Sequence, residues 1–119
     1  MLTIIAGSRS ITDYDVVRKA IEASGITPST VISGTARGVD QLGERWAREH
    51  DIPILQMPAN WKQFGKAAGY YRNVEMAQVA EALIAVHDGV SRGTQHMIDI
   101  AVAHHLKIFI YTESIHDRP

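Results

Sequence analysis

Short apolar runs rich in β-branched residues alternate along the chain with longer stretches in which apolar residues recur every three or four positions. The first pattern is typical of buried parallel strands, and the second is typical of helices that cover a sheet. The predicted strands are Leu2–Ala6, Thr30–Ser33, Pro53–Met57, Leu83–His87 and Lys107–Tyr111. The predicted helical faces comprise Val17, Ala20 and Ile21; Leu42, Trp46 and Ala47; Met76, Val79 and Ala80; and Met97, Ile98, Ala101 and Val102.

This alternation predicts an α/β fold, a Rossmann-like doubly wound sheet of about five parallel strands in a three-layer αβα arrangement. Thr12 or Asp13 can cap the first helix at its N-terminus, and Gly25 follows its end. We expect the strand order 3-2-1-4-5. Ligands of such sheets bind beyond the carboxyl ends of the strands where the order reverses, here between the first and fourth strands.

The composition restricts the function classes. The chain has 119 residues, 45% of them hydrophobic, a net charge of -1 and no cysteine. We expect a single domain over residues 1–115 with a loose C-terminal tail at 116–119.

The absence of cysteine excludes thiolate chemistry and suits a reducing compartment. No apolar run is suited to span a membrane, so a cytoplasmic location is expected. Without a global basic charge, nucleic acid is not expected as a partner.

Three strand-to-helix junctions carry glycine, a hydroxyl residue and an arginine: "IIAGSRS" at Ile4–Ser10, "VISGTARGVD" at Val31–Asp40 and "AVHDGVSRGTQ" at Ala85–Gln95. Glycine allows close backbone approach, helix N-termini attract anions, and guanidinium groups bind phosphate through forked donors. An anionic ligand, with phosphate as the leading choice, is therefore predicted; turn geometry alone is the alternative. No Walker A sequence or spaced GxGxxG motif is present. The candidate ligand contacts here are Gly7, Ser8, Arg9, Gly34, Thr35, Arg37, Gly38, Gly89, Ser91, Arg92, Gly93 and Thr94. A branched residue at Gly38 or Gly93 is expected to harm binding more than folding.

The segment Pro58–Tyr71, "PANWKQFGKAAGYY", is read as a long loop after the third strand. It mixes aromatic rings with lysines, which suits a base and a phosphate, and Trp61 and Lys66 are candidate ligand contacts. The alternative is that Trp61 and Phe64 pack the loop onto the sheet.

Three stretches resemble the motifs of the YspA-like branch of the SLOG superfamily: "ISGTARGVDQLGERWA", "PANWKQFGKAAGYYRNVEMA" and "VHDGVSRGTQHMIDIA". This Rossmann-like group includes the LOG phosphoribohydrolases and the DNA-processing protein DprA. The resemblance implies a nucleotide or nucleotide-derived ligand and a homo-oligomer. The residues that fall on the pocket motifs of the family are Gly34, Arg37, Gly38, Asp40, Arg72, Asn73, Gly93 and Thr94.

The third motif departs from the LOG pattern, because His96 and Met97 stand where the acidic residue for glycosidic cleavage would be. Binding without catalysis is therefore favoured, and an N-glycosidase of the LOG type or single-stranded nucleic-acid binding like that of DprA are the alternatives. The catalytic residues are unknown, with Arg72, Asp40 and His96 as candidates. No metal site and no cofactor are predicted, since His96 and Asp99 lack further ligands at recognisable spacing.

Overall fold

The computed structural model describes residues 1–113, and all five predicted strands are present in them. Their bounds are β1 Leu2–Gly7, β2 Thr30–Ser33, β3 Ile54–Gln56, β4 Ala82–His87 and β5 Lys107–Thr112. β3 is two residues shorter than predicted, and β1, β4 and β5 are each one residue longer. The predicted tail at 116–119 and the predicted domain end at 115 lie outside the described residues.

The strands form one parallel sheet in the order β3-β2-β1-β4-β5, which confirms the predicted topology. β1 lies at the centre, with Ile4 opposite Ile32 of β2 and opposite Leu83 of β4. The chain turns back across β1 after β3, so the order reverses between β1 and β4. The loops after these two strands therefore separate and leave a space at the carboxyl edge of the sheet.

Helices cover both faces of the sheet. Successive residues of a strand point to opposite faces, so Ile5 packs with Val17 and Ala47, whereas Ile4 packs with Met76 and Met97. The helices are α1 Tyr14–Ser24, α2 Val39–Glu49, α3 Trp61–Phe64, α4 Ala68–Val79 and α5 Arg92–Ala103. α1 and α2 cover one face, and α4 and α5 cover the other, which confirms the Rossmann-like α/β fold.

The caps of α1 follow the sequence prediction. The side chain of Asp13 accepts a hydrogen bond from the Asp15 N–H, and Gly25 ends the helix in the left-handed region with φ 67°. Two residues of the predicted apolar faces are solvent-exposed instead, namely Val79 near the end of α4 and Val102 on α5. Among residues 1–113, no helix has the length and apolar character needed to cross a membrane.

The interpretation of residues 58–71 as a loop is wrong. The segment contains α3, a 3-10 turn at Gly65–Ala67 and the first turn of α4. Asn60 starts α3 because its side chain accepts a hydrogen bond from the Gln63 N–H at 3.1 Å. A helix of four residues shows no apolar period, so the pattern that predicted the other helices could not reveal this one.

Gly38 precedes α2 and is constrained by the fold itself. Its φ is 77°, and a Cβ there would lie 2.5 Å from the Ser8 carbonyl oxygen and 2.7 Å from the Arg9 Cα. Gly93, in the first turn of α5, has no atom near the place of a Cβ. The two glycines therefore differ, and the expectation that a branched residue at Gly38 would spare folding does not fit this geometry.

We predict that Gly38→Ala lowers the free energy of unfolding by at least about 2 kcal/mol, through the positive φ and the clash with backbone. Gly93→Ala is the matched control and should change it by less than about 1 kcal/mol. Urea denaturation of both variants measures the difference. Equal losses in the free energy of unfolding for the two variants would show that the backbone contacts of Gly38 do not restrict this position to glycine.

Candidate functional site

A crevice of about 460 Å³ lies at the carboxyl ends of β1 and β4, where the strand order reverses. We call it the main crevice. Its floor includes the buried side chains of Met76 and Met97, and polar groups from four different loops and helices surround it. The predicted residues that line it are Gly7, Arg9, Asp40, Trp61, Lys66, Arg72, Asn73, Ser91, Gly93 and Thr94.

A second cavity of about 410 Å³, the side cavity, adjoins the main crevice beyond the end of β2. Gly34, Thr35 and Arg37 line it, and these residues were also predicted to bind ligand. Arg9 and Arg72 line both cavities. The structure therefore brings the motifs of the first and second junctions to one continuous surface.

Five other residues with predicted roles line neither cavity. Ser8 is buried and holds two loops together, because its Oγ accepts a hydrogen bond from the Asp88 N–H at 3.0 Å. Gly38 packs against Ser8 and Arg9. Arg92 is exposed, as is Gly89, which has a φ of 92°. His96 lies beside the main crevice and contacts Asn73 and Tyr70.

Asp88 and Ser10 line the main crevice and were not among the predicted ligand contacts. The Ser10 hydroxyl donates to Asp88 Oδ2 at 2.7 Å, and the N–H groups of Val90 and Ser91 donate to Oδ1 at 2.9 Å. Burial by itself raises the pKa of Asp88, but these hydrogen bonds outweigh it and lower the pKa to about 2. The carboxylate therefore stays charged and orders the loop after β4.

Asp40 places a second carboxyl group in the main crevice, in the first turn of α2. It is buried, and its Oδ2 accepts a hydrogen bond from the Ala36 N–H at 3.1 Å. Burial raises the pKa of Asp40 to about 6, although the Ala36 N–H and the charge of Arg72 oppose the shift. Asp40 can thus gain or lose a proton close to neutral pH.

Arg72 connects α4 to the loop after β2. Its Nη1 donates to the Gly34 carbonyl oxygen at 2.5 Å, and its Nε donates to Asn73 Oδ1 at 3.1 Å. Its Nη2 makes no hydrogen bond to any group in residues 1–113. Burial lowers the pKa of Arg72, the charge of Asp40 raises it, and the charge of Arg9 lowers it further. Two guanidinium groups of like charge therefore face the same space.

Gly34 makes this arrangement possible. A side chain at this position would run into the Arg72 guanidinium group and would place its Cβ 2.8 Å from Asp40 Oδ2. The adjacent Thr35 has a φ of 67°, a conformation that residues other than glycine seldom adopt. The glycine predicted from the second junction thus gives room to two other side chains of the site.

Aromatic rings form one wall of the main crevice. Trp61 and Tyr70 line it and are about half exposed, at 52% and 45%. Tyr70 packs on the His96 ring with centroids 4.4 Å apart, and Phe64 packs on Tyr71 at 4.6 Å. Phe64 and Tyr70 therefore contact neighbouring rings. The alternative that Trp61 and Phe64 pack the loop onto the sheet does not fit their exposure of 52% and 37%.

Metal ligands are not clustered in the described part of the chain. No group of three or more His, Cys, Asp or Glu side chains in residues 1–113 could hold a metal ion. The Nδ1 of His96 lies 3.1 Å from Asn73 Nδ2 and is engaged there. Burial lowers the pKa of His96, opposed by the charge of Asp99, so the ring favours its neutral form.

Comparison with known proteins agrees with these motifs. A model of the YspA, cpYpsA-related SLOG family matches residues 1–64, which include the first two glycine junctions. The Gene 61 protein of Mycobacterium phage D29 is 35% identical in an alignment of 103 residues, and the match covers 78% of this chain and 82% of the phage protein. The chain belongs to the YspA, cpYpsA-related SLOG family. The predicted membership of the SLOG superfamily is confirmed.

The fold is also that of a solved SLOG protein. The X-ray structure of DNA processing protein A (DprA) from Streptococcus pneumoniae aligns with 97% of this chain at a TM-score of 0.75 and 16% sequence identity. This chain spans about half of that protein, 51% of its length. At this level of identity the likeness establishes the shared fold.

Asp40 gives a pH-dependent prediction. Because its pKa rises from 3.8 to about 6 on folding, the folded protein holds this proton more tightly than the unfolded chain does. The resulting stability is complete below the unfolded pKa and is lost as the pH rises through about 6. From pH 4 to pH 7, the free energy of unfolding of the wild type should therefore fall by on the order of 2 kcal/mol relative to that of Asp40→Asn. Urea denaturation across this range tests it, and parallel pH profiles for the two proteins would contradict the assignment.

Proposed function

We propose that the chain binds a nucleotide or a nucleotide-derived phosphate ligand at the carboxyl edge of the sheet, and that it senses or sequesters this ligand without converting it. The observation that carries the proposal is the distribution of ion pairs. Arg9, Arg37 and Arg72 line the two cavities and form no ion pair with any side chain in residues 1–113.

The arginines of α1 and α2 are different. Arg18 pairs with Asp15 and Glu22, Arg45 pairs with Glu49, and Arg48 lies 3.7 Å from Glu44. Arg92 also forms no ion pair in residues 1–113, but it is exposed on α5 and lines neither cavity. Three guanidinium groups without an ion pair thus share one concave surface, which suits an anion from outside the chain. Phosphate is the anion that fits best, because the paired N–H donors of a guanidinium group match the spacing of phosphate oxygens.

The rest of the main crevice suits a nucleoside. Trp61 and Tyr70 offer partly exposed ring faces for a base, and the floor of Met76 and Met97 offers apolar contact. Asn73 and Thr94 line the same space and supply polar groups for ribose hydroxyls. The volume of about 460 Å³ is in the range of small-molecule sites.

Calorimetric titration of the four common ribonucleoside monophosphates tests the binding proposal. Arg72→Lys and Arg9→Lys should each weaken the affinity for the tightest-binding monophosphate by about tenfold or more. A charge-assisted hydrogen bond contributes about 1.5–3 kcal/mol, and a lysine cannot reproduce the forked donors of an arginine. Added salt should weaken wild-type binding as well.

Arg9→Lys separates binding from folding, since Arg9 is exposed and makes no hydrogen bond within residues 1–113. Arg18→Lys, on α1 and outside both cavities, is the matched control. Affinity that survives Arg72→Lys and Arg9→Lys, or that falls equally with Arg18→Lys, would reject the proposed site.

An N-glycosidase of the LOG type is the second candidate, and Asp40 is the observation that favours it. A buried carboxyl group with a pKa of about 6 can act as a general acid or base near neutral pH. His96 occupies the position of the family's acidic residue but lines neither cavity. Chromatography of the titrated samples decides between the candidates: free base would establish hydrolysis, and intact nucleotide would support binding alone.

Single-stranded nucleic-acid binding remains a third candidate. Exposed rings and lysines alternate along this segment: Trp61 and Lys62 lie on α3, Lys66 lies in the 3-10 turn, and Tyr70 and Tyr71 lie on α4. This combination suits stacking on successive bases. The net charge of -1 stands against it. Fluorescence anisotropy with oligothymidylate at two salt concentrations tests it, and no salt-sensitive binding would reject it.

Self-association of the chain in the cytoplasm is part of the proposal. Apolar side chains are exposed at both edges of the sheet, Leu55 on β3 and Ile110 on β5, and Val102 is exposed on α5. Such positions suit contact with a second copy of the chain. Light scattering at micromolar concentration should give a mass above 13.2 kDa, and a monomer alone would contradict this prediction.

A further inference from the structure

The main crevice and the side cavity are adjacent and share a boundary, which we call the waist. Four residues line both spaces, namely Arg9, Ala36, Trp61 and Arg72. Each space taken alone is large enough for one small ring system with its substituents. A nucleoside monophosphate with its base in the main crevice would leave the side cavity to solvent.

The waist carries two arginines, Arg9 and Arg72. The Arg72 Nη2 makes no hydrogen bond to any group in residues 1–113, and the charge of Arg9 lowers the pKa of Arg72. Asp40 lies on one side of the pair, but the buried carboxyl forms no ion pair with either arginine. Two adjacent guanidinium groups suit two linked phosphates better than one.

The two spaces differ in chemistry. Tyr70, Met76 and Met97 give the main crevice an aromatic and apolar wall that suits a base. Besides the four shared residues, the side cavity is lined by Pro58 and Ala59 and by Gly34, Thr35, Arg37 and Gln41, whose polar groups suit hydroxyl groups. The chemistry on the two sides of the waist therefore corresponds to the two ends of one ligand.

We infer that the ligand is a nucleoside diphosphate whose distal phosphate carries a second, hydroxyl-rich ring, as in a nucleoside-diphosphate sugar. The base and ribose occupy the main crevice, the diphosphate lies at Arg9 and Arg72, and the sugar occupies the side cavity. This inference rests on the proposed function and specifies the ligand of the same site.

Calorimetry with AMP, ADP and ADP-ribose, and with UMP, UDP and UDP-glucose, tests the inference. In at least one series the sugar conjugate should bind about tenfold more tightly than the diphosphate. Gln41→Trp places a bulky ring on the exposed face of α2 that lines the side cavity, and it should abolish this advantage while ADP or UDP binding changes less than about threefold.

Gln78→Trp is the matched control, because Gln78 is an exposed glutamine on α4 that lines neither cavity. It should leave the advantage of the sugar conjugate unchanged. Binding of the monophosphate and diphosphate without any gain from the sugar, or a gain that survives Gln41→Trp, would overturn this inference and leave the proposed function standing. Failure of all six compounds to bind, together with failure of CMP and GMP, would overturn both.

Discussion

The hydrogen bond from the Arg72 guanidinium group to the Gly34 carbonyl oxygen is the contact on which the geometry of the site depends. It joins α4 to the loop after β2, two segments separated by 38 positions in the chain, and it fixes the boundary between the two cavities. The bond requires a glycine at position 34, because any side chain there would collide with Arg72. Asp40 is buried near the same guanidinium group, and this burial raises the pKa of its carboxyl although the charge of Arg72 opposes the shift.

The polar residues of the site divide into those that build the loops and those that remain available to a ligand. Ser8, Asp88 and Ser10 bond to one another and to backbone, and the charged state of Asp88 is stabilised by these bonds. Arg9 and Arg37 have no such partners in residues 1–113. Rigid loops that carry free guanidinium groups lower the ordering cost of binding, since only a few side chains need to be fixed when the anion arrives.

The sequence was sufficient to predict the sheet, because five short β-branched runs separated by helical stretches leave few alternatives to a parallel doubly wound order. It was less informative about contacts between distant residues: Ser10 and Asp88 are 78 positions apart, and no local pattern links them. Ser91 is the N-cap of α5 and has an extended backbone, whereas Arg92 begins the helix; Ser91 lines the main crevice and Arg92 does not, a difference that the junction motif alone does not reveal. The brief α3 was missed because its start depends on the single cap at Asn60.

A crystal structure of the chain with a bound nucleoside monophosphate tests the central claim most directly. The account predicts that a phosphate oxygen lies within about 3 Å of the Arg72 Nη2 and that the base contacts Trp61 or Tyr70. A nucleotide bound at another surface, with the main crevice unoccupied at saturating concentration, would contradict it.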